Sequence, residues 1–248
     1  MNISSHPSKL SFLVLLGLLM NCSSPADTSG QQRRPPAGGR IAVVVDERLS
    51  ALRTTPDFSG QLLRRVGRGK LVAVRREKRT GDGLVFYQVN VTRRTSGWLL
   101  RESVVLPNQA ADERRLVRLI SASEDFDRIV RARIFFDTFP RSAFRPAVLL
   151  LYGDEAEKSA AKLVRDAARR LNPNEIKANS APAFSYYLNY NGLDRYRRQG
   201  IVFRFDSATS QFHYDGAAWR EIVRRYPRSS EAVQARQRLE QLATRFNH

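Results

Sequence analysis

The spacing of apolar residues changes once along the chain, near residue 110, and this change limits the folds that the chain can adopt. Before it, apolar residues lie in short runs between glycine-rich turns, a pattern typical of strands. After it, they recur every three or four residues, as on one face of a helix. We therefore expect a multidomain protein, with an all-β unit over 40–106 and an α-rich unit over 108–248.

The first unit contains about five short apolar runs, and the glycines between them favour tight turns. The runs cover 41–45, 71–74, 84–91, 96–100 and 103–105. Two of the turns are Gly67-Arg68-Gly69 and Gly81-Asp82-Gly83, and the second is a strong hairpin signal. Short strands without a long helix predict a small antiparallel barrel.

The second unit carries four apolar stripes at helical spacing. We expect Ser123 to cap the first helix, and Asp154 with Glu157 to form a capping box at the second. The neighbouring carboxylates Glu155 and Glu157 are typical of a solvated face. The stripes are Phe126, Ile129, Val130 and Ile134; Ala156, Ala160, Leu163, Ala167 and Leu171; Trp219, Ile222, Val223 and Tyr226; and Ala232, Ala235, Leu239, Leu242 and Phe246.

A short motif occurs twice in the second unit, as Phe139-Pro140-Arg141-Ser142 and as Tyr226-Pro227-Arg228-Ser229. In both places it predicts that proline ends one helix and serine caps the next. Between the copies, apolar runs on either side of 207–210 predict a β-hairpin insertion. The aromatic residues of 184–214 are interpreted as core filler or, alternatively, as the lining of a ligand pocket.

The first 21 residues have the composition of a removable leader. Lys9 precedes an apolar run of 11 residues, whereas a helix that spans a bilayer needs about 20. Residues 22–39 are rich in Ser, Pro, Gly and Gln, which predicts a disordered tether. Cys22 is the only cysteine, so no intrachain disulfide is expected.

The segment Leu19-Met20-Asn21-Cys22 resembles the lipobox of bacterial lipoproteins, although Asn21 stands where a small residue is usual. In that family the cysteine is diacylated and becomes the new N-terminus, so the resemblance implies lipidation of Cys22 and a firm membrane anchor in the cell envelope. Ser23 favours the outer membrane, if the cell has one. The alternative is an ordinary secretory leader with an incidental cysteine.

The first unit also carries an ordered set of short motifs over about 65 residues. The motifs are Leu49-Ser50-Ala51-Leu52-Arg53, Gly60, the strands 66–74 and 86–89, and Gly97-Trp98-Leu99. Together they resemble a bacterial SH3-like (SH3b) domain, a family that binds cell-wall peptides or other proteins.

The aromatic-Pro-Arg-Ser junctions of the second unit resemble those of tetratricopeptide-like repeats, although their offset of 87 residues is no multiple of roughly 34.

Four residues of the first unit are candidates for ligand binding. Tyr87 and Trp98 offer flat apolar platforms with a polar edge. The alternative is that both belong to the core. Arg75 and Arg76 lie in the densest basic run, 64–79, which would attract anionic envelope partners.

Charge and composition oppose several classes of function. The 42 Lys+Arg and 24 Asp+Glu give +18, spread as +8 on each unit, whereas a nucleic-acid groove concentrates charge. If Cys22 is acylated, the chain has no free thiol for catalysis. After removal of the predicted leader it keeps two histidines, His213 and His248. Its sequence contains no H-E-x-x-H, G-x-S-x-G or P-loop motif. We therefore expect no enzyme activity, no metal and no cofactor.

These features together predict a non-catalytic envelope lipoprotein that acts as a cell-wall-binding tether or as a protein-interaction scaffold. Its expected partners are the membrane through the N-terminal lipid, peptidoglycan through the first unit and an envelope protein through the second, with no nucleic acid. One alternative is a protein-assembly subunit without wall affinity. The other is a cell-wall-associated enzyme with its site in 184–214.

Overall fold

The computed structural model describes residues 38–179, 181–189, 192–206 and 208–246. The predicted leader, Cys22 and tether residues 22–37 lie outside these ranges, and the predictions made on them stay predictions. Within the described ranges, no helix is both long and apolar enough to cross a bilayer.

Residues 40–105 form one antiparallel sheet of seven strands, in the order β3-β2-β6-β5-β4-β1-β7. Five of them match predicted runs. The sequence analysis missed β2 and β3, because β2 has three residues and β3 has every side chain exposed, so neither shows apolar alternation. The strands are β1 (Arg40–Val44), β2 (Ala51–Arg53), β3 (Leu62–Arg65), β4 (Leu71–Arg79), β5 (Val85–Asn90), β6 (Ser96–Leu100) and, after a 3₁₀ turn at Arg101–Ser103, β7 (Val104–Val105).

The inner face of the sheet packs around one apolar cluster. Leu52 of β2, Leu99 of β6 and Val104 of β7 all belong to it. Because strands near both ends of the sheet order share this cluster, the sheet is strongly curved. A β-bulge at Arg75 interrupts the pairing of β4, the longest strand, with β5.

The strand β1 is buried on both faces from Ala42 onward, because this part of it lies between two cores. Ala42 and Val44 belong to the inner cluster of the sheet, whereas Val43 belongs to the core of the helical unit. Side chains of a strand alternate between its faces, and an uninterrupted apolar run is typical of a strand covered on both. The two units therefore share an interface through β1.

Within the described ranges, the second unit contains eight helices and a two-stranded sheet around the long helix α3. This helix packs against α1, α2, α7, α8 and β9. The elements are α1 (Ala110–Ser121), α2 (Asp125–Thr138), α3 (Arg145–Arg170), α4 (Pro173–Ala178), α5 (Ala183–Leu188), α6 (Gly192–Arg197), β8 (Phe203–Asp206), β9 (Gln211–Tyr214), α7 (Ala217–Arg225) and α8 (Ser230–Phe246).

The two copies of the repeated motif form the same turn. In each copy the N–H of the aromatic residue, Phe139 or Tyr226, donates to the carbonyl four residues earlier at 2.8 Å. The serine N–H then donates back to the carbonyl of the aromatic residue, at 3.1 Å in the first copy and 3.0 Å in the second. The pairs α2–α3 and α7–α8 are therefore joined by equivalent turns.

The predicted helix caps at Ser123, at Asp154 with Glu157, and at Ser142 are wrong. The N-cap of α3 is Phe144, and the Ser142 hydroxyl accepts from the N–H of Phe144, before the helix begins. The N-cap of α2 is Glu124 rather than Ser123, whose hydroxyl instead donates to the carbonyl of Leu119. Asp154 and Glu157 lie inside α3, which begins at Arg145. The error arises because the apolar face of α3 starts well before the stripe from which the cap was predicted.

The prediction of a solvated face for Glu155 is also wrong. Its side chain is buried, and one carboxylate oxygen accepts from Arg128 Nη1 at 2.7 Å. The other oxygen accepts from the backbone N–H of Asp125 at 3.1 Å. This buried carboxylate therefore fixes the start of α2 against α3.

The predicted β-hairpin is confirmed, since β8 and β9 pair antiparallel and β9 packs against α3. The aromatic rings around it contact one another. Tyr187 stacks on Phe205 with ring centroids 5.4 Å apart, and Phe205 meets the edge of Phe212 at 5.1 Å. These contacts favour the interpretation of the aromatic region as core.

A buried arginine joins the two units. Arg131 of α2 is 2% exposed, and its Nε donates to the carbonyl of Val45 at 3.2 Å. Its Nη1 donates to the Ser123 hydroxyl at 2.6 Å, and its Nη2 reaches the carboxylate of Asp46 at 3.3 Å. Each of these donors would be costly to bury without its partner.

Two carboxylates complete this charged cluster. Asp46 accepts from Arg48 Nη2 at 2.8 Å, and that hydrogen bond is the main reason that its pKa lies below the ordinary value. Asp127 accepts from Arg68 Nη1 at 2.7 Å, which likewise lowers its pKa. Arg68 lies on the turn before β4 and Asp127 on α2, so this ion pair is a second link between the units.

Replacing Arg131 should destabilise the whole chain. Arg131→Met leaves the Asp46 carboxylate and the Val45 carbonyl buried with fewer partners, and breaking such a pair costs about 3 kcal/mol or more. The control is Arg133→Met on the same helix, where the ion pair with Asp137 is exposed and contributes at most about 1 kcal/mol. The free energy of unfolding from urea titrations checks this, and equal losses in the two variants would contradict the linking role.

Candidate functional site

A row of polar and aromatic side chains crosses the outer face of the sheet. The strand register places Arg76 opposite Gln88, Gln88 opposite Trp98, Trp98 opposite Arg53, and Arg53 opposite Leu62. Opposed residues of antiparallel strands lie on the same face, so these five side chains form one row across five strands. With neighbouring strands about 4.8 Å apart, the row is roughly 19 Å long.

The loop after β2 adds a second aromatic ring to this row. Phe58 is 59% exposed and meets the edge of the buried Phe86 ring, with centroids 5.7 Å apart. The guanidinium carbon of Arg53 lies 5.9 Å from the Phe58 ring, within the range of a cation–π contact. We call Arg53, Phe58, Leu62, Arg76, Gln88 and Trp98 together the Trp98 face.

Hydrogen bonds hold this loop in shape. Arg53 Nη1 donates to the carbonyl of Gly60 at 2.8 Å, and the N–H of Gly60 donates to the Asp57 carboxylate at 2.8 Å. Asp57 also accepts from the Ser59 hydroxyl, which is the main reason that its pKa is lowered. The Asp57 carboxylate is thus engaged within the loop.

Two glycines allow the close packing beneath the Trp98 face. A Cβ on Gly97 would lie 2.7 Å from the carbonyl oxygen of Arg53, and a Cβ on Gly60 would lie 2.2 Å from the hydroxyl of Thr55. Both distances are too short for a real contact. The glycine before Trp98 therefore lets β6 approach β2 closely enough to seat Trp98 beside Arg53.

The predicted site residues separate into two groups. Trp98 and Arg76 lie in the same row of the outer face, two strands apart, with Trp98 half-buried and Arg76 exposed. Arg75 is the bulged residue beside them, and its guanidinium group lies next to Asn90 and Gly38. The structure therefore brings three of the four candidates to one region of the sheet.

Tyr87 does not belong to this group. Its side chain is 2% exposed and lies in the inner cluster of the sheet, and burial raises the pKa of its phenol. The strand alternates faces, so Gln88 points outward where Tyr87 points inward. The interpretation of Tyr87 as a ligand platform is replaced by the alternative, a core residue.

Four residues of the Trp98 face escaped the sequence analysis as candidates: Arg53, Phe58, Leu62 and Gln88. They come from β2, β3, β5 and a loop, and only the strand register brings them together. The one local signal was Leu52-Arg53 among the SH3-like motifs, which indicated neither a strand nor the direction of its side chains.

The Trp98 face combines groups that suit a ligand with flat apolar faces and carboxylates. Arg53 and Arg76 offer planar donors for carboxylates, and Gln88 offers both a donor and an acceptor. Trp98 and Phe58 offer apolar ring surfaces. The two guanidinium groups outweigh the single carboxylate of the loop, Asp57, which stays ionised and is bonded to Ser59 and Gly60, so the face is positively charged.

The helical unit has a cleft of its own, of about 310 Å³, between its two helix pairs. Phe136 of α2 and Tyr152 of α3 line it, with their ring centroids 5.6 Å apart. At its rim, Arg145 pairs with Glu221 of α7 at 2.9 Å. Among the described residues, no group of three or more His, Cys, Asp and Glu side chains is arranged to hold a metal ion.

Comparison with protein-family models, with curated protein sequences and with solved structures finds no match for this chain. The functional argument therefore rests on the Trp98 face, the helical cleft and the sequence motifs.

Substitution of Gly97 should disturb the sheet under Trp98. Gly97→Ala forces its Cβ against Arg53 and Leu52, and such overpacking costs about 1–3 kcal/mol. Gly81→Ala is the matched control, because a Cβ there meets no atom within 4 Å. Urea unfolding of both variants measures the difference, and a Gly97→Ala protein as stable as Gly81→Ala would contradict the close packing of β6 on β2.

Proposed function

We propose that this chain is a non-catalytic, lipid-anchored protein of the cell envelope that binds peptidoglycan through the Trp98 face. In this proposal the sheet is an SH3-like barrel, the helix pairs are tetratricopeptide-like, and Cys22 carries the acyl anchor. The observation that carries the proposal is the row in which Trp98 lies between Gln88 and Arg53, all three half-buried, on the outer face of the sheet.

The chemistry of peptidoglycan fits this row. Its sugar rings present apolar C–H faces that stack on an indole ring, and its stem peptides carry carboxylates that arginine binds with paired hydrogen bonds. Arg53 lies one strand from Trp98 and Arg76 two strands away on the other side. A ligand seated on Trp98 would therefore meet a guanidinium group on each side.

The helical unit supports a role in holding a protein partner. Its cleft lies between α2, α3 and α7, that is, between the two equivalent helix pairs. The aromatic side chains that line the cleft suit an apolar side chain of a partner protein, and the ion pair at the rim suits polar groups next to that side chain. This cleft is also the observation in favour of the second candidate function, a protein-assembly subunit without wall affinity.

Co-sedimentation with purified peptidoglycan sacculi tests wall binding. Trp98→Leu and Arg76→Gln should each weaken binding about tenfold, since removal of a central aromatic or arginine anchor costs on the order of 1–2 kcal/mol. Arg93→Gln, an exposed arginine in the β5–β6 turn, removes the same charge and should leave binding unchanged. Urea unfolding confirms that each variant is folded.

Salt separates specific wall binding from general attraction of a basic protein. Binding that persists at high salt and needs Trp98 supports the proposal, because exposed charges are screened beyond about 10 Å at 0.1 M ionic strength. Binding that disappears with salt, or that falls equally in Arg76→Gln and Arg93→Gln, contradicts it and favours the protein-assembly alternative.

Lipidation has its own test. Cys22→Ala should abolish incorporation of a labelled fatty-acid analogue in cells, because the chain has no other thiol. Ser23→Ala serves as the control and should keep the label. Unchanged labelling of the Cys22→Ala protein would contradict the anchor.

A further inference from the structure

The two edges of the seven-stranded sheet differ in how they are covered. At one edge, β7 lies against α1, where Arg115 donates to the carbonyls of Glu102 and Val104. At the other edge, β3 pairs with β2 alone among the described strands. An open edge presents backbone N–H and C=O groups to which another strand can add.

Val66, which follows β3, shows which backbone groups face the open side. Its N–H donates to the carbonyl of Ser50 at 3.0 Å, and its carbonyl accepts from the Ser50 hydroxyl. Both groups of Val66 therefore point toward β2. Since backbone groups alternate in direction along an antiparallel strand, the N–H and C=O of Arg65 point away from β2.

The side chains of β3 give this open edge its chemistry. Leu62 and Leu63 are 47% and 46% exposed, and Arg64 and Arg65 are exposed beside them. The two guanidinium groups contact the carbonyls of Arg65 and Arg48 rather than carboxylates of the described residues. The edge thus combines an apolar pair with positive charge.

We propose that β3 is a docking edge for an extended acidic segment of a partner protein, which adds to the sheet as an eighth strand. Its backbone pairs with Arg65, its apolar side chains pack on Leu62 and Leu63, and two successive carboxylates meet Arg65 on one face of the sheet and Arg64 on the other. This inference does not depend on wall binding by the Trp98 face, with which the edge shares only Leu62.

Two other occupants fit the edge less well. If the β3 strands of two copies paired with each other, their four guanidinium groups would lie close together. Like charges across paired strands are unfavourable. A lipid surface would leave the backbone groups of the edge without partners, because hydrocarbon forms no hydrogen bonds. An acidic strand satisfies both the charges and the backbone.

A peptide titration tests the backbone part of the proposal. The probe is a fluorescently labelled, end-capped hexapeptide, Thr-Glu-Glu-Val-Val-Thr, whose order matches Arg65, Arg64, Leu63 and Leu62 in an antiparallel pair, read by anisotropy with the full chain. It should bind at least about tenfold more tightly than the same peptide with lysine for glutamate, or with the first glutamate N-methylated so that it cannot donate to Arg65. It should also slow hydrogen exchange of the Arg65 amide.

A pair of double variants tests the charge part. Arg64→Gln with Arg65→Gln should weaken binding of the glutamate peptide about fivefold, whereas Arg93→Gln with Arg94→Gln, which removes the same charge from the exposed β5–β6 turn, should not. Sacculus binding should be equal in both, which separates this edge from the Trp98 face. Absence of peptide binding, binding unaffected by N-methylation, or equal losses in the two double variants would overturn the proposal.

Discussion

The buried guanidinium group of Arg131 is the contact on which the arrangement of the two units depends. It lies on α2, yet its hydrogen bonds reach the carbonyl of Val45 and the carboxylate of Asp46 at the end of β1. Burial opposes its charge and lowers its pKa, and the carboxylate of Asp46 acts in the opposite direction. Because β1 is also apolar on both faces, the sheet and the helices meet through a shared core with a charged cluster inside it. In the proposed role, this interface would carry a load from the wall-binding unit to the helical unit.

The curvature of the sheet and the strand register determine which side chains form the Trp98 face, as Arg131 determines how the two units meet. Five strands and one loop contribute its side chains, and Gly97 lets β6 and β2 approach closely enough to set Trp98 beside Arg53. Arg53 has two tasks there, because it bonds the loop at Gly60 and also presents positive charge beside Phe58. Stability of the loop and composition of the face are thus determined by the same residue.

The parts of the fold that could be predicted are those with a strong local period. The apolar run of β1, the hairpin of β8 and β9, and the stripes of α2, α7 and α8 were all recognisable from spacing alone. The strand β3 was not, because a fully exposed strand has no apolar face to give it a period. Nor was the burial of Arg131 and Glu155, since their burial depends on partners far along the chain. For the site, Trp98 and Arg76 were predicted as candidates, but separating them from Tyr87 required the register, because one residue along a strand reverses the face.

The most direct test of wall recognition uses the two tryptophans as separate reporters. Trp98 lies on the proposed binding face, whereas Trp219 is 2% exposed in the helical core. A ¹H–¹⁵N spectrum of the intact chain shows one indole N–H signal from each, and the Trp98→Leu variant assigns them. Titration with soluble muropeptides from digested peptidoglycan should shift the Trp98 indole signal in a saturable way at high salt and leave that of Trp219 in place. A Trp98 signal that stays unmoved while muropeptides bind elsewhere, or do not bind, would contradict the account.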